Sequence, residues 1–320
     1  MKIEIGQNEA GQRVDKFCRK WLSDVPLGAI FKGIRKGDIK VNNKKVKGEY
    51  YLVEGDCVEA KYIQSIKKDQ PKQFIEVDFS ALKVTYEDEN ILVVEKWPGV
   101  LVHSDKENGE ATLTDYVLSY LKEKGDYIPE NEITFTPAPC NRLDRNTSGL
   151  VIFGKNFKSL KLANEMIRER KIKKYYNALV KGKLNEGYYE AFILKNEVNN
   201  ISEVYTEEKP ESKKIAMEVK VLDTVGSYSL LELNLITGRS HQLRAHLAFL
   251  GNPIVGDDKY GDRKLNSFFN NKYGLEFQFL YAYKLVFKDC PEELSYLENK
   301  VVVETLPPIF KKVKKDVLKF

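Results

Sequence analysis

The stretch Cys140-Asn141-Arg142-Leu143-Asp144-Arg145-Asn146-Thr147-Ser148-Gly149-Leu150 decides how the rest of the chain is read. One acid, Asp144, stands between two arginines, and the turn-forming run Asn146-Thr147-Ser148-Gly149 closes the segment. The apolar run Leu150-Val151-Ile152-Phe153 follows and has the composition of a buried strand. The acid is therefore expected on a loop at a strand edge, where a rigid sheet holds functional side chains. Arg142 and Arg145 are expected to keep its carboxylate ionised, because an opposite charge nearby favours the charged form. By itself the stretch also fits a salt-bridged turn without further role, since surface Asp–Arg pairs contribute little.

Composition narrows the class. A chain of 320 residues has room for one large and one small domain. Its 42% hydrophobic and 31% charged residues describe an ordinary globular protein. No apolar run approaches the roughly 18 residues of a membrane helix, and the N-terminus lacks a signal-peptide pattern. Cys18, Cys57, Cys140 and Cys290 are far apart, with no Cys-x-x-Cys pair. Neither a zinc site nor a disulfide framework is expected, and a reducing cytoplasm fits best. His241 and His246 are five apart, not four, and no acid completes a zinc motif, so no metal is expected. There is no Gly-rich phosphate loop, so no nucleotide cofactor is expected either.

Charge is unevenly placed. Residues 1–72 hold 16 Lys and Arg against 10 Asp and Glu, whereas residues 73–320 hold 36 against 37. A small basic unit beside a near-neutral large one suggests a polyanion grip joined to a reaction chamber. In the small unit, Val14, Phe17, Cys18, Trp21 and Leu22 recur at helical spacing. Pro26 and Gly28 break that pattern, and a second helix over about 29–36 should stop at Gly37. Ile39–Val41 and Lys44–Val46 read as strands around a tight Asn42-Asn43 turn, and Cys57–Ala60 as another after Glu54-Gly55-Asp56. From Lys32 to Lys47 there are seven basic residues and one acid. Cations so clustered release counterions from a phosphate backbone and bind it without regard to sequence.

Residues 63–80 carry little apolar pattern and read as a linker, leaving 81–305 as the large domain and 306–320 as a basic C-terminal tail. In the large domain, Val84–Tyr86 and Ile91–Glu95 read as a hairpin, and Thr112-x-x-Asp115 as a capping box opening a helix that Gly125 ends. A basic amphipathic helix is expected over 158–170. The strand Lys174–Lys181 should put Tyr176, Ala178 and Val180 on one face. Residues 215–222 and 228–235 read as further strands. Ser240 is expected to cap a helix with Leu243, Leu247 and Leu250 on its apolar stripe. Strands outnumber helices, which favours an α+β fold with a largely antiparallel mixed sheet.

Several of these segments resemble the RluA family of pseudouridine synthases, in family order. Arg142-Leu143-Asp144-x-x-Thr147-Ser148-Gly149-Leu150 is similar to its active-site motif, with Asn141 where the family has His. Lys96-Trp97-Pro98-Gly99-Val100-Leu101-Val102-His103 is similar to the first motif, with its Pro displaced by one, and His103 is read as structural. Lys174-x-Tyr176-x-Ala178-x-Val180-x-Gly182 resembles the second. Thr237-Gly238-Arg239-Ser240-His241-Gln242-Leu243-Arg244-Ala245-His246-Leu247, followed by Gly256-Asp257-x-x-Tyr260-Gly261, resembles the third. Leu280-Tyr281-Ala282 has Tyr281 for a family His. The resemblance implies an α+β catalytic domain that isomerises uridine in RNA without cofactor or metal. It makes Asp144 the catalytic acid, Arg244 its partner, and Tyr176 the floor under the base and a candidate proton acceptor. Arg142 would fill the place of a flipped nucleotide.

Residues 11–62 resemble the small alpha-L RNA-binding domain, the S-four type of ribosomal proteins, through Arg13-x-Asp15-Lys16, Ile34-Arg35-x-Gly37-x-Ile39-x-Val41-Asn42 and Gly55-Asp56. That implies RNA contacts through Lys32, Arg35, Lys36, Lys40, Lys44 and Lys45. Such a domain accompanies the RluC and RluD branches, which act on large-subunit ribosomal RNA. The expectation is a cytoplasmic monomer working on that RNA, off the membrane. The alternatives are the same chemistry on tRNA, or a non-catalytic RNA-binding or ribosome-assembly factor.

Overall fold

A computed structural model describes residues 1–62, 74–104, 109–196 and 199–318, and two sheets organise them. The smaller runs in the order Lys2–Glu4, Cys57–Ala60, Ile39–Val41, Lys44–Lys45, with every neighbour antiparallel. Helices Val14–Trp21 and Leu27–Lys36 share a core with it, built on Val14, Phe17, Leu22, Ile34, Ile39 and Val58. Gly37 ends the second helix in the left-handed conformation its sequence position suggests. Asn42 and Asn43 both take positive φ, as a two-residue hairpin turn requires. The buried Asp56 accepts from Asn42 Nδ2 at 2.7 Å and from the Val53 amide at 2.9 Å, tying that hairpin down.

The larger sheet has eleven strands. Across it run Ile201–Tyr205, Gly187–Asn196, Lys213–Val225, Tyr228–Leu235, Ile172–Lys181, Leu280–Phe287, Ser148–Gly154, Ile91–Lys96 and Lys83–Glu87. Val301–Val303 and Ala138–Pro139 pair beside this path. All pairings are antiparallel except that of Leu280–Phe287 with Ser148–Gly154. The α+β expectation thus holds. Ser148–Gly154 is buried throughout, which explains its unbroken apolar run. Tyr176, Ala178 and Val180 share one core with Leu231, Leu233 and Met217, while Leu179 faces another, so the alternation read from sequence is the one observed. Helices Leu113–Lys124 and Gln242–Phe249 pack into the Tyr176 core, and Phe157–Arg168 closes part of the opposite face.

Three expectations change. Residues 63–73 of the expected linker lie outside the described residues, but those after them are laid along helix Leu113–Lys124. Phe74 packs on the core, and the Ile75 and Val77 amides donate to Asp115 and Ser119 at 3.0 and 3.1 Å. The segment read as a basic tail is instead a packed helix, Pro308–Leu318. Phe310, Val313 and Leu318 are buried, and Phe310 stacks on Phe279 at 4.1 Å, so apolar spacing outweighs the lysines. Ser240 caps nothing. His241 occupies the N-cap position with a left-handed backbone, and the amide of Arg239 donates instead to Gln242 Oε1 at 3.1 Å.

The small unit meets the large one through polar groups and through Ile133, which packs on the small core. Asn8 donates to Glu132 at 2.8 Å, Gln12 to Thr134 Oγ1 at 3.0 Å, and the Thr134 amide to the buried Glu9 at 3.0 Å.

Candidate active site

Asp144 sits where the opening stretch placed it, on the turn that enters Ser148–Gly154. The Thr147 amide closes that turn on the Asp144 carbonyl at 3.0 Å. Leu143 anchors it in the main core, and Gln278 Nε2 holds Thr147 Oγ1 at 3.0 Å. Asn141 braces it from behind, accepting the Ile152 amide at 2.8 Å and donating to the Leu150 carbonyl at 3.3 Å. An amide can therefore serve at this position by acting as extra backbone. Gly149 has φ +122°, and a Cβ there would fall 2.3 Å from the Ala282 carbonyl oxygen. Only glycine lets the turn press this closely on its neighbouring strand.

The flanking arginines do not pair with Asp144. Arg145 reaches Glu110 at 2.9 Å, and Arg142 is exposed. The partner is Arg244, whose Nη1 lies 3.2 Å from Asp144 Oδ2. Arg244 is itself caged. Asp257 takes its Nε and Nη2 at 2.6 and 2.9 Å, and Asp258 takes Nη2 at 3.1 Å. The Tyr260 ring lies 5.3 Å from the guanidinium. Burial pulls the Arg244 guanidinium down, but the carboxylates of Asp257 and Asp144 outweigh it and leave it raised. Bidentate pairing with Asp257 fixes the plane of the guanidinium, so its remaining donor is aimed before any substrate arrives.

Asp257 is fully buried and also accepts the Lys259 and Tyr260 amides at 3.0 and 2.9 Å. The sequence displayed it inside the Gly256-Asp257-x-x-Tyr260-Gly261 pattern, yet gave it no task. Its pairing crosses from a loop to a helix and follows no period.

Tyr176 comes from the strand Ile172–Lys181 and is 4% exposed. Burial first, and the Asp144 charge second, push its hydroxyl up. Such a phenol is a poor base near neutrality and a good apolar floor. Lys96, overlooked in the first motif, is fully buried at the end of Ile91–Lys96. Its Nζ donates to the carbonyls of Trp97, Val100 and Arg145 at 3.1, 2.8 and 2.7 Å, stitching the 97–100 turn to the Asp144 turn. Burial pulls this ammonium down to about 7, against the Asp144 charge. His103 is half-buried at the edge of that turn. Tyr281 replaces a family His and donates its hydroxyl to Glu95 at 2.7 Å.

Asp144 and Arg244 are thus brought into contact from separate segments, with Tyr176 close enough for the Asp144 charge to act on it. The basic residues of the small unit are not part of this site. Lys32, Arg35, Lys36, Lys44 and Lys45 are exposed on the second helix and the hairpin, with Lys40 half-buried.

Residues 90–249, which span the Asp144 turn, the Tyr176 strand and the Arg244 helix, match the family model described as RNA pseudouridylate synthase. The chain belongs to the RNA pseudouridylate synthase family. It is 32% identical over 314 residues to a ribosomal large subunit pseudouridine synthase C of Vibrio vulnificus, covering 96% of this chain and 94% of the relative. It is 33% identical over 308 residues to an uncharacterized RNA pseudouridine synthase of Mycoplasma capricolum, covering 95% and 97%. Human RNA Pseudouridylate Synthase Domain Containing 4 shares the fold, with TM-score 0.59 and 24% identity over 73% of this chain and 92% of that one. The chain is accordingly a pseudouridine synthase, an enzyme that isomerises uridine in RNA.

Proposed function

We propose that this synthase modifies uridines of large-subunit ribosomal RNA, with Asp144 as the catalytic acid, Arg244 as its partner and Tyr176 beneath the base. The observation that carries the reading is the Asp144–Arg244 contact of 3.2 Å, held by a guanidinium already locked on buried Asp257. The reaction breaks the N1–C1′ bond, turns the uracil, joins C5 to C1′, and moves the C5 proton to a base. It needs an ionised carboxylate beside the ribose, whether that group attacks C1′ or deprotonates the sugar. Arg244 favours the ionised form and orients it. Tyr176 supplies a flat surface on which the detached ring can turn without leaving.

A stacked uridine cannot reach a carboxylate set beside buried Tyr176 and Arg244, so the nucleotide is flipped in. Exposed Arg142, two residues from Asp144, is suited to fill the vacated place. RNA loops suit this best, because their bases are already partly unstacked. Residues 1–62 serve as an alpha-L RNA grip through Lys32, Arg35, Lys36, Lys40, Lys44 and Lys45. The large-subunit target is supported by the names of relatives matched over nearly their full length. The enzyme works as a cytoplasmic monomer, since its substrate is there and one chain supplies all three central side chains.

The test is tritium release from large-subunit RNA labelled at uridine C5. Asp144→Asn should keep RNA binding and lose roughly 10²–10⁴-fold in rate. Undiminished release removes Asp144 from the role.

A further inference from the structure

A cavity of about 410 Å³ opens on the large sheet outside the Asp144–Arg244 site. Its lining includes Arg170, Tyr188, Lys213, Lys214 and Arg239. Strand register sets its face. Tyr188 pairs with Glu218, Glu218 with Asn234 and Asn234 with Tyr175, so Tyr188 and Tyr176 stand on opposite faces of the sheet. Of the cations, Lys214 is held by Glu190. Arg170, Lys213 and Arg239 form no ion pair among the described residues. They come from separate segments: the end of helix Phe157–Arg168, the start of strand Lys213–Val225 and the loop before helix Gln242–Phe249. A cleft lined by one sign of charge raises the local concentration of the opposite sign. Arg170 adds an independent observation. It follows the helix C-cap with φ +63°, its amide donates to the Ile167 carbonyl at 3.2 Å, and the Lys171 amide donates to the Met166 carbonyl at 2.8 Å. Glycine fills this helix-ending turn best, because a Cβ strains the left-handed backbone. A long cation therefore stands where the fold alone favours glycine.

From this constellation we infer that the cavity is a second RNA site, which takes a nucleotide flanking the target uridine. Its phosphates lie among Arg170, Lys213 and Arg239, and its base stacks on the Tyr188 ring. The inference rests on the chain's RNA substrate and not on the choice of ribosomal RNA. Tyr188 is 54% exposed, a large aromatic face left to solvent beside the cations. Single-stranded RNA is held by this pairing of a cationic groove with an aromatic platform. Arg239 links the cavity to the chemistry, because Arg244 follows it closely in the chain and meets Asp144 at 3.2 Å. The 236–242 loop between them is held in place. Thr237 Oγ1 donates to Gln242 Oε1 at 2.8 Å and accepts the Ala216 amide at 2.9 Å. A strand that leaves its uridine at Asp144 continues around this loop to the opposite face.

Charge and stacking leave different marks on the binding of a short labelled oligouridylate to the full chain. Each cation that neutralises a phosphate contributes roughly 0.7 to the slope of log K against log salt on a single strand. Arg170→Gly combined with Lys213→Gln should therefore make the slope shallower by about 1.4 and weaken binding at 50 mM salt roughly 10- to 100-fold. Lys213→Gln alone, on an exposed strand end, should give about half that change in slope. Tyr188→Ala should weaken binding roughly 5- to 150-fold, the size of one stacked base, and leave the slope as it is. Arg170→Gly by itself should keep or raise the urea midpoint, since it relieves the left-handed backbone while giving up the cation. A lowered midpoint would make the arginine a packing residue and overturn its place in the site. An unchanged slope in the double variant overturns the site as a whole. Undiminished affinity in Tyr188→Ala overturns the nucleotide assignment, because a bare phosphate has no use for the ring.

Discussion

Beside Asp144, the Arg244 side chain is 5% exposed and meets the carboxylates of Asp144, Asp257 and Asp258. On the small unit, Lys32, Arg35, Lys36, Lys44 and Lys45 stand in solvent, and none forms an ion pair among the described residues. Both regions gather positive charge, but the surroundings decide what the charge can do. Buried and bidentate, a cation has one geometry and a fixed local field, which chemistry requires. Exposed and unpaired, it follows a flexible phosphate chain and is screened by salt. The comparison predicts opposite responses to mutation.

The largest effect should come from Arg244→Met. Removing one partner of a buried charge pair leaves the other stranded, at a cost of about 3–5 kcal/mol. Asp257, fully buried, is the carboxylate stranded here. Urea unfolding should show that loss, and tritium release should fall with it. Adding Asp257→Asn should recover much of the stability and none of the rate, because Asp144 still lacks its partner. If Arg244→Met unfolds within about 1 kcal/mol of the parent, the cage is not buried in the energetic sense used here.

What could be read from sequence divides along the same line. The strands around Tyr176 and Ser148–Gly154 were legible because period and apolar composition are local signals. The contact of Asp144 with Arg244 was legible only through motifs, since composition alone made Asp144 a salt-bridged turn. Its true partner was not the neighbouring Arg142 or Arg145 but Arg244, a hundred residues away. Asp257 and Lys96 stood in quoted motifs but received no role, for a related reason. Each is a charged residue in the interior, satisfied by groups that only the fold assembles. Ser240 misled because it has the right chemistry for a cap, while the next residue, His241, takes the N-cap position in the left-handed region instead. The lysines of helix Pro308–Leu318 suggested a basic tail, yet Phe310, Val313 and Leu318 at helical spacing carried the packing signal.

A middle-sized effect should separate the interior from the surface by pH. His246, on the helix that carries Arg244, is fully buried, and neither ring nitrogen has a hydrogen-bond partner among the described residues. Burial lowers it from 6.5 to about 4. Between those values the unfolded chain holds a proton that the folded one refuses, so stability falls as the pH falls. From pH 7 to pH 5 this should remove roughly 2 kcal/mol, read as a lower urea midpoint. His246→Leu should flatten that dependence. A parent whose midpoint is equally insensitive would mean that the imidazole accepts its proton in the folded state.

The smallest effect on the protein, and the most selective, belongs to the exposed cations. Replacing Lys44 and Lys45 by Ala on their short hairpin strand touches no core and should move stability by no more than about 0.5 kcal/mol. Chemistry on saturating RNA should be unchanged, since neither side chain lies at the Asp144–Arg244 site. Binding is where they should register. Each lysine that neutralises a phosphate contributes roughly 0.7 to the slope of log K against log salt on single-stranded RNA, and more on a duplex. The double variant should therefore bind labelled large-subunit RNA with a slope shallower by about 1.4 and converge on the parent at high salt. A weaker affinity with an unchanged slope would mean the hairpin acts through shape rather than charge. An unchanged affinity and slope would mean that the RNA bypasses the hairpin, and the grip would then have to lie on the helix side, at Lys32, Arg35 and Lys36.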